Sequence, residues 1–301
     1  MNKRLISVII RERWLYLLLL PGLLYFLLFK YLPMLGILIA FKDFQPFWGF
    51  FRSAWVGAKH FNRLFTGHVF WMLFRNTMLI GLYNLIFFFP LPIAIALMLN
   101  EVGSLFYKRL VQTVIYIPHF ISWVVVVGIT YVLFTTNGIV NQFLTSLGLE
   151  KINFLLNPRL FRPMIIFQVI WKETGWGTII LLATLSGIDP QLYEAAGIDG
   201  ANRWHQMLHI TLPSLRSTII ILLLIRLGRF LNTGFQQIFL MLNPITRDVG
   251  EVFDTYVYSI GITGGQFSYS AAVGFFKSSV ALILIYISNR LAKRMGEEGI
   301  F

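Results

Sequence analysis

Six apolar stretches, each long enough to cross a lipid bilayer, account for most of this 301-residue chain. A transmembrane helix needs about 20 apolar residues, because a helix rises about 1.5 Å per residue and the hydrocarbon core is about 30 Å thick. Prolines interrupt several stretches, which membrane helices tolerate where neighbouring groups bond the freed carbonyls. Tilted and kinked transmembrane helices are therefore predicted at approximately residues 14–41, 71–99, 110–134, 161–185, 212–240 and 270–291.

The composition agrees with an integral membrane protein. Hydrophobic residues make up 57% of the chain and charged residues 13%, whereas about 25% of the residues of an average soluble domain are charged. Six spans and short loops leave room for one membrane domain, predicted at residues 14–291, with tails at residues 1–13 and 292–301. The formal net charge of +12 is divided between loops and spans, and no basic cluster interleaved with aromatic residues indicates a nucleic-acid partner.

The distribution of lysine and arginine predicts the orientation of the spans. The two tails and the loops on their side of the bilayer contain 10 of these residues, and the opposite loops contain 7 over a greater length. Since cytoplasmic loops carry an excess of positive charge, both termini are predicted to be cytoplasmic. The predicted fold class is an all-α integral membrane protein with six transmembrane helices.

The loop between the fourth and fifth spans is polar and glycine-rich, with the sequence EAAGIDGANRWHQMLHITLP. Asp189 can cap a helix that begins at Pro190, and Gly197 and Gly200 can end that helix. A second short helix is predicted over residues 201–210, ending before the last proline of the loop. From the residues alone, a docking surface for another protein and an ordinary helical connector are equally compatible with this pattern.

The same loop resembles the EAA signature of the permease subunits of ABC importers. Every signature position is matched, and the motif covers 20 residues between the fourth and fifth of six spans. The matching residues are Glu194, Ala195, Ala196, Gly200, Ile210, Leu212 and Pro213.

Two further segments resemble the carbohydrate-uptake branch of that family, in particular the permeases of polysaccharide and oligosaccharide importers. They are LLLLPGLLYFLLFKYLPMLGILIAFKDF, at residues 17–44, and GWGTIILLATLSGIDPQLYEAA, at residues 175–196. The resemblance implies a permease subunit of a bacterial cytoplasmic membrane that imports an oligosaccharide.

The resemblance also implies partners. A cytoplasmic coupling helix between the fourth and fifth spans would dock into a separate dimer of ABC ATPase subunits and pass its closure to the spans. A second, homologous permease chain would complete a heterodimer, and an extracellular substrate-binding protein would deliver the cargo. ATP and Mg²⁺ would bind to the ATPase and no cofactor to this chain, which lacks the phosphate-binding motif GxxxxGK[ST]. The residues assigned to docking are Tyr193, Glu194, Ala195, Ala196, Gly197, Asp199 and Gly200.

Polar residues inside the spans are candidates for a substrate pathway, because a charge at the bilayer centre costs roughly 2.5–3.5 kcal/mol on insertion scales. Arg226 and Arg229 are three residues apart and are predicted to share a helical face with the polar residues that follow them. Tryptophan beside hydrogen-bonding groups suits a sugar ring, which has apolar C–H faces and hydroxyls. The predicted pathway residues are Tyr83, Asn84, Gln168, Trp171, Lys172, Trp176, Arg226, Arg229, Thr233 and Gln236.

Alternative interpretations stay open at this point. Contact with the partner permease explains each pathway residue equally well, and Arg75 and Lys277 lie close enough to span ends to reach the interface. The windows contain one acid, Glu173, and their basic residues include Lys30, Arg75, Lys172, Arg226, Arg229 and Lys277. This excess of positive charge suggests the further hypothesis that the cargo is an acidic oligosaccharide. A secondary transporter for a small polar solute is the alternative class, although it should show inverted repeats and ion-coupling carboxylates in its spans. No HExxH or GxSxG motif indicates an enzyme.

Overall fold

Residues 11–294 are described by the structure, a computed structural model, and nearly all regular structure in this range is helical. This confirms the helical membrane class. The outer parts of both predicted tails, residues 1–10 and 295–301, lie outside the described residues. The chain forms two compact units. One is drawn from the region up to Thr66 together with Val257–Phe275, and the other from Gly67–Tyr256 together with the region from Phe276 onwards.

The first unit contains a long apolar helix followed by a small hairpin. The helical stretch Arg13–Phe41 is 29 residues long, and only 6% of its most apolar window is buried within the chain. The elements of this unit are α1 (Arg13–Phe26), a π-helical turn (Leu27–Tyr31), α2 (Leu32–Met34), a 3₁₀ segment (Leu35–Phe41), β1 (Lys42–Asp43), α3 (Gly49–Arg52), β2 (Ala54–Trp55), α4 (Lys59–Thr66) and a π-helical turn at Ser259–Thr263.

The hairpin is the one departure from the all-α prediction within the described residues. β1 and β2 pair antiparallel, with Lys42 opposite Trp55. The loop between them is closed by Ser53, whose hydroxyl donates to the Gly49 carbonyl at 2.7 Å and accepts from the Gln45 N–H at 3.1 Å. Strands of two residues are too short to show a period-2 pattern, so they could not be predicted from the sequence.

The second unit contains most of the helices. Its elements are α5 (His68–Tyr83), a π-helical turn (Asn84–Phe88), α6 (Pro90–Glu101), α7 (Leu105–Tyr116), a 3₁₀ segment (Ile117–Phe120), α8 (Trp123–Phe134), α9 (Ile139–Ser146), α10 (Pro158–Leu185), α11 (Pro190–Ile198), α12 (Arg203–Gln206), a π-helical turn (Met207–Thr211), α13 (Leu212–Ser214), α14 (Arg216–Gly228), α15 (Phe235–Met241) and α16 (Arg247–Gly250). Two helices belong to both units, α17 (Phe253–Tyr258) and α18 (Phe267–Arg294).

Five described helices are long and apolar enough to cross a membrane, or six if one bent pair counts as a single span. The five are Arg13–Phe41, His68–Glu101, Trp123–Ser146, Pro158–Leu185 and Phe267–Arg294, and the pair is Arg203–Ser214 with Arg216–Gly228, bent by 55°. Two predicted windows are wrong as continuous helices. The window 110–134 is broken between α7 and α8, and the window 212–240 contains the end of α14 and a separate α15.

Three of the π-helical turns precede a proline. The turns end at Tyr31, Phe88 and Thr211, and a proline follows each of them at the second position. A proline has no N–H, and its ring clashes with the carbonyl four residues earlier, which lies inside the turn in each case. The wider π turn moves that carbonyl away and keeps the helix continuous through the proline.

Helix α10 supplies the core of the second unit. Half of its most apolar window is buried, more than in the other candidate spans. Gly175 allows α7 to approach it closely, because a Cβ at this position would lie 1.9 Å from the Ile115 carbonyl oxygen. A buried cluster joins α10 to α5, α8 and α15 through Ile80, Val127, Phe161, Ile165, Ile238, Met241 and Val252.

Candidate functional site

Helix α11 begins where the sequence predicts. The Asp189 side chain accepts a hydrogen bond from the Gln191 N–H at 2.9 Å, and Pro190 occupies the first helical position. An acidic cap and a proline with preset φ both favour a helix start. The local sequence therefore fixes the start of this short helix.

A Schellman motif ends α11 at Gly200. The Ala201 N–H donates to the Ala196 carbonyl at 2.9 Å, and the Gly200 N–H donates to the Gly197 carbonyl at 3.1 Å. Gly200 has a φ of 80°, a left-handed conformation that favours glycine. Gly197 lies inside the helix, so only Gly200 ends it.

Side-chain contacts attach α11 to the helix that follows. The Tyr193 hydroxyl lies 3.0 Å from Thr211 Oγ1. The Gln206 amide donates to the Tyr193 carbonyl at 3.4 Å and to the Ala201 carbonyl at 3.3 Å. Tyr193 is half-buried, so its side chain positions α11 within the chain.

The second predicted helix is longer than expected. Asn202 caps it by accepting from the His205 N–H at 2.9 Å, and it runs continuously from Arg203 to Ser214. The predicted end before Pro213 is wrong, because the π turn accommodates this proline inside the helix.

The outer face of α11 is accessible. The Glu194 carboxylate makes no hydrogen bond or ion pair with any residue from 11 to 294. Ile198 is 88% exposed and Trp204 is 62% exposed. These two residues lie outside the docking set predicted from the sequence, although an apolar side chain in a polar loop is a usable signal. The exposed members of the predicted docking set are Glu194, Ala195, Gly197, Asp199 and Gly200.

A groove of about 330 Å³ lies between α11 and the following helix. The rings of His205 and His209 stack 6.0 Å apart beside it, and residues 11–294 contain no group of three His, Cys, Asp or Glu side chains able to hold a metal. Its lining includes Ala196, Asp199, Gly200, His205, His209 and Ile210. The groove and the exposed face together define what we call the coupling surface, formed by residues 190–210.

Lys172 closes the break in the third span. Its ammonium donates to the His119 carbonyl at 2.5 Å and to the Ile121 carbonyl at 2.7 Å, and lies 3.5 Å from the Pro118 carbonyl. These carbonyls lie at the end of the 3₁₀ segment, where the chain leaves its helical path. The side chain is 7% exposed and lies 3.8 Å from Glu173. Lys172 thus replaces N–H donors that the broken helix lacks.

His119, Glu173 and Trp176 form an aromatic and acidic cluster beside this break. His119 Nδ1 lies 2.9 Å from Glu173 Oε2. The His119 ring stacks on Trp176 at a centroid distance of 4.4 Å and an angle of 6°. Trp176 is 46% exposed and Trp171, on the same helix, is 41% exposed. Both indoles can therefore offer a flat face to a ligand.

Gln168 lies in a buried polar network. Its amide donates to Thr130 Oγ1 at 2.7 Å, and Gln237 donates to Gln168 Oε1 and to the Ile165 carbonyl, each at 2.8 Å. Gln168 is 3% exposed and Gln237 is 1% exposed. The network joins α8, α10 and α15, and Gln168 also lines a cavity of about 530 Å³ together with Trp171, so its assignment to a pathway stays a prediction.

The pathway candidates of the second span occupy two environments. Asn84 is buried and donates to the Ile80 carbonyl of its own helix at 3.1 Å. Tyr83 is half-buried and its ring lies 6.0 Å from that of Phe87. Their assignment to a pathway stays a prediction.

The predicted polar stripe of the fifth span is wrong as one helical face. Helix α14 ends immediately before Arg229, and Gly234, with φ 89°, leads into α15. Arg226 therefore lies on a different helix from Gln236, and Thr233 lies in the connection between them. Thr233 is buried and Gln236 is exposed. Apolar length alone could not reveal this break.

The two arginines nevertheless lie close together at the break. The Arg226 guanidinium is half-buried and lies 4.7 Å from the centre of the Phe88 ring. It interacts electrostatically with Glu173 and with Arg229, and Arg229 is exposed. Arg226, near the end of α14, is thus attracted electrostatically to Glu173 in the neighbouring cluster.

Lys277 has an acidic partner that the sequence analysis missed. Its ammonium lies 2.5 Å from Asp254 Oδ1 and 2.7 Å from Asn232 Oδ1. Asp254 lies outside the apolar windows, so counting acids within them did not include it. Asp254 therefore neutralises the charge of Lys277 within the chain.

Asn76 and Arg162 hold α16 in place. Asn76 donates to the carbonyls of Asp248 and Glu251, each at 3.0 Å. Arg162 donates to Asn76 Oδ1 at 2.9 Å and to the Val249 carbonyl at 3.1 Å. Asn76 is fully buried and has a structural role here.

The acid that follows α16 has a shifted pKa. Burial raises the pKa of Glu251, and Asp248 adds to this shift, while Arg247 opposes it. The Arg247 guanidinium lies 3.8 Å from the Glu251 carboxylate. The neutral acid is therefore favoured more than in water.

Residues 88–297 match the family described as the binding-protein-dependent transport system inner membrane component. This match covers more than half of the chain, including the whole EAA signature. The chain belongs to this family of ABC importer permeases. The predicted family is confirmed. The alternative of a secondary transporter is wrong. Members of this family are transport components and not enzymes.

Relatives of known description extend the similarity to the full chain. The permease is 56% identical to the polygalacturonan/rhamnogalacturonan transport system permease protein YteP of Bacillus subtilis (strain 168), over 100% of this chain and 94% of that protein. It is 56% identical to protein LplB of the same organism, over 97% of this chain and 92% of that protein.

The permease also resembles solved structures of an alginate importer. One is the bacterial alginate ABC transporter in complex with an alginate pentasaccharide-bound periplasmic protein. A chain of that structure has a TM-score of 0.92 and 40% identity, covering 99% of this chain and 100% of that chain. A second structure, of a bacterial ABC transporter involved in the import of the acidic polysaccharide alginate, has a TM-score of 0.91 and 41% identity, over 97% and 99% of the two chains.

Replacing Gly200 by alanine is expected to loosen the end of α11 in this permease. Alanine disfavours the left-handed conformation by about 1 kcal/mol, equivalent to roughly fivefold in an opening equilibrium. In Gly200→Ala, hydrogen exchange at the backbone amides of positions 200 and 201 should accelerate by about that factor. Gly187→Ala is the matched control, because Gly187 also follows a helix but has no positive φ. Equal acceleration in both variants would contradict the Schellman role.

Proposed function

We propose that this permease is one of two homologous chains that form the pathway of an importer in the bacterial cytoplasmic membrane. Six spans place both termini in the cytoplasm. A separate dimer of ABC ATPases hydrolyses ATP, and an extracellular binding protein delivers an acidic oligosaccharide. Family membership supports the assembly, and the distribution of lysine and arginine supports the orientation.

The coupling surface receives the ATPase in this proposal. Glu194 offers an unpaired carboxylate, and Ile198 offers an apolar side chain that is 88% exposed. An exposed apolar anchor beside a charge is typical of a protein interface. Tyr193 and Gln206 attach α11 to the helix that leads into α14, so a displacement of α11 reaches the fifth span through hydrogen bonds and the backbone.

The main evidence for an acidic cargo is the pair of arginines, Arg226 and Arg229, at the interrupted fifth span. No carboxylate forms a salt bridge with either guanidinium within residues 11–294. An unpaired cation inside a membrane protein is costly unless it meets water or an anion. A uronate residue carries one carboxylate, which arginine binds with two parallel hydrogen bonds. The similar proteins named for alginate and for polygalacturonan handle polymers of this kind.

The aromatic cluster beside these cations suits the sugar ring itself. The outer face of Trp176 is accessible while its other face is held by His119. A rigid indole can stack on the C–H face of a pyranose without a large loss of side-chain entropy. Lys172 acts in this region as a positioning group through the broken third span, and Trp171 and Thr233 stay predicted pathway residues.

Removing the two guanidinium charges is expected to reduce transport of acidic cargo selectively. With the complete importer in proteoliposomes, Arg226→Gln with Arg229→Gln should lower kcat/KM for tetragalacturonate uptake by about tenfold or more, because charge-assisted hydrogen bonds contribute about 1.5–3 kcal/mol. Uptake of a neutral tetrasaccharide that the same importer accepts should change less than threefold.

The control for this experiment is Arg216→Gln, an exposed arginine at the first position of the same helix. It removes a charge from α14 without touching the break. Equal losses for acidic and neutral cargo would contradict charge recognition by Arg226 and Arg229, and so would an equal loss in the control.

A further inference from the structure

A groove of about 630 Å³ runs along the first half of α10, between this helix and the end of α5. Its lining changes from basic to apolar along the helix. Arg159 and Arg162 lie near the start of α10, and Phe167 and Ile170 lie further along it. Phe87 forms part of the opposite wall. The groove lies wholly within the second unit.

The length of α10 places the basic end at the membrane surface. With 28 residues, the helix is about 42 Å long, compared with a hydrocarbon core of about 30 Å. Its first turn, which carries Arg159, therefore reaches the headgroup region. From Pro158 to Ile170 the helix rises about 18 Å, which is close to the thickness of one leaflet of hydrocarbon, about 15 Å.

The charges at this end lack an acidic partner. Arg159 is exposed, and its side chain makes no hydrogen bond or ion pair with a described residue. Arg162 bonds only to neutral oxygens, those of Asn76 and Val249. Arg75 lies nearby and donates to the backbone carbonyl of Asp248.

We propose that this groove is a binding site for an anionic phospholipid. The phosphate binds Arg159 and the outer edge of Arg162, and an acyl chain lies against Phe87, Phe167 and Ile170. Charge complementarity at one end and apolar contact along one leaflet match the two parts of a lipid. A free acidic oligosaccharide shares the anionic chemistry but would leave its hydroxyl groups unbonded against this apolar lining. The proposal does not depend on the cargo of the importer.

To test this, the assembled importer is reconstituted in nanodiscs and then washed with detergent. Lipid mass spectrometry measures the lipid that it retains. From equal mixtures, phosphatidylglycerol should be retained at least about fivefold over phosphatidylcholine, as expected for a basic residue near an anionic lipid. Arg159→Gln should abolish this preference. The matched control Arg216→Gln should keep it, because Arg216 is also an exposed arginine in a first helical turn and lies outside the groove.

A second pair of variants tests the acyl contact. Phe167→Ala should reduce retention of both lipids, and Phe106→Ala, another exposed phenylalanine outside the groove, should not. Trigalacturonate at saturating concentration should leave the bound phosphatidylglycerol in place. Equal retention of the two lipids, displacement by trigalacturonate, or no retention by the assembled importer would each overturn the proposal, the last because a partner chain would then cover the groove.

Discussion

Glu194→Lys is expected to abolish uptake while the permease stays folded in the membrane. The carboxylate is exposed and has no partner among residues 11–294, so reversing its charge costs the isolated chain little. At the proposed ATPase interface, reversal removes an attraction and adds a repulsion worth several kcal/mol. Uptake by proteoliposomes should fall at least about fiftyfold, and the ATPase should no longer co-purify with the permease.

The matched control is Gln191→Lys, which adds a positive charge to the same helix one turn earlier. Gln191 is exposed, and only its backbone N–H bonds to Asp189. This variant should retain the ATPase and most of the uptake. Normal uptake by Glu194→Lys, or identical defects in both variants, would count against a docking role for the outer face of α11.

The coupling surface was predictable because its signals are local. A cap at Asp189, a proline at the first position and a glycine at the end determine α11 within a dozen residues. The same local reasoning failed at Pro213, where a π turn carries the helix through the proline. Sequence rules treat proline as a stop, whereas a widened turn removes the clash that makes it one.

The breaks in the third and fifth spans could not be read from hydropathy. An apolar window measures the average preference for lipid and is insensitive to whether the helix inside it is continuous. The carbonyls at the break before α8 are bonded by Lys172, which lies more than 50 residues away in the sequence. Such a long-range donor is visible only after the chain has folded.

The charges within the spans were identified correctly as unusual, but their partners were not. Glu173 is the one acid within the windows, whereas Lys277 binds Asp254, which lies outside them. Lys172 binds backbone carbonyls and lies near Glu173. Arg226 and Arg229, at the fifth-span break, form no salt bridge with a described residue. They are therefore the candidate residues for binding an anionic cargo.

Lys172→Met is expected to destabilise the permease strongly, because the lysine is part of the fold at the broken third span. Methionine preserves the apolar stem but leaves the carbonyls of His119 and Ile121 without a donor. Loss of bonds to a charged donor in a buried site costs about 3 kcal/mol in total, and Glu173 would lose its nearest cation. The midpoint of thermal unfolding in detergent should fall by about 5 °C for a chain of this size.

Two comparisons decide whether Lys172 acts through the fold or through the cargo. Lys30→Met removes an exposed lysine of the first span whose side chain makes no hydrogen bond or ion pair with a described residue, and the midpoint of this variant should not change. Lys172→Arg keeps a donor at the break and should recover part of the lost stability, although its planar head cannot reach all three carbonyls as an ammonium does. An unchanged midpoint for Lys172→Met together with a selective loss of acidic uptake would instead place this lysine on the substrate pathway, in contact with the cargo. A lower midpoint with uptake reduced equally for acidic and neutral sugars would place it beneath the pathway, where it fixes the position of His119 and, through the stacked ring, of Trp176.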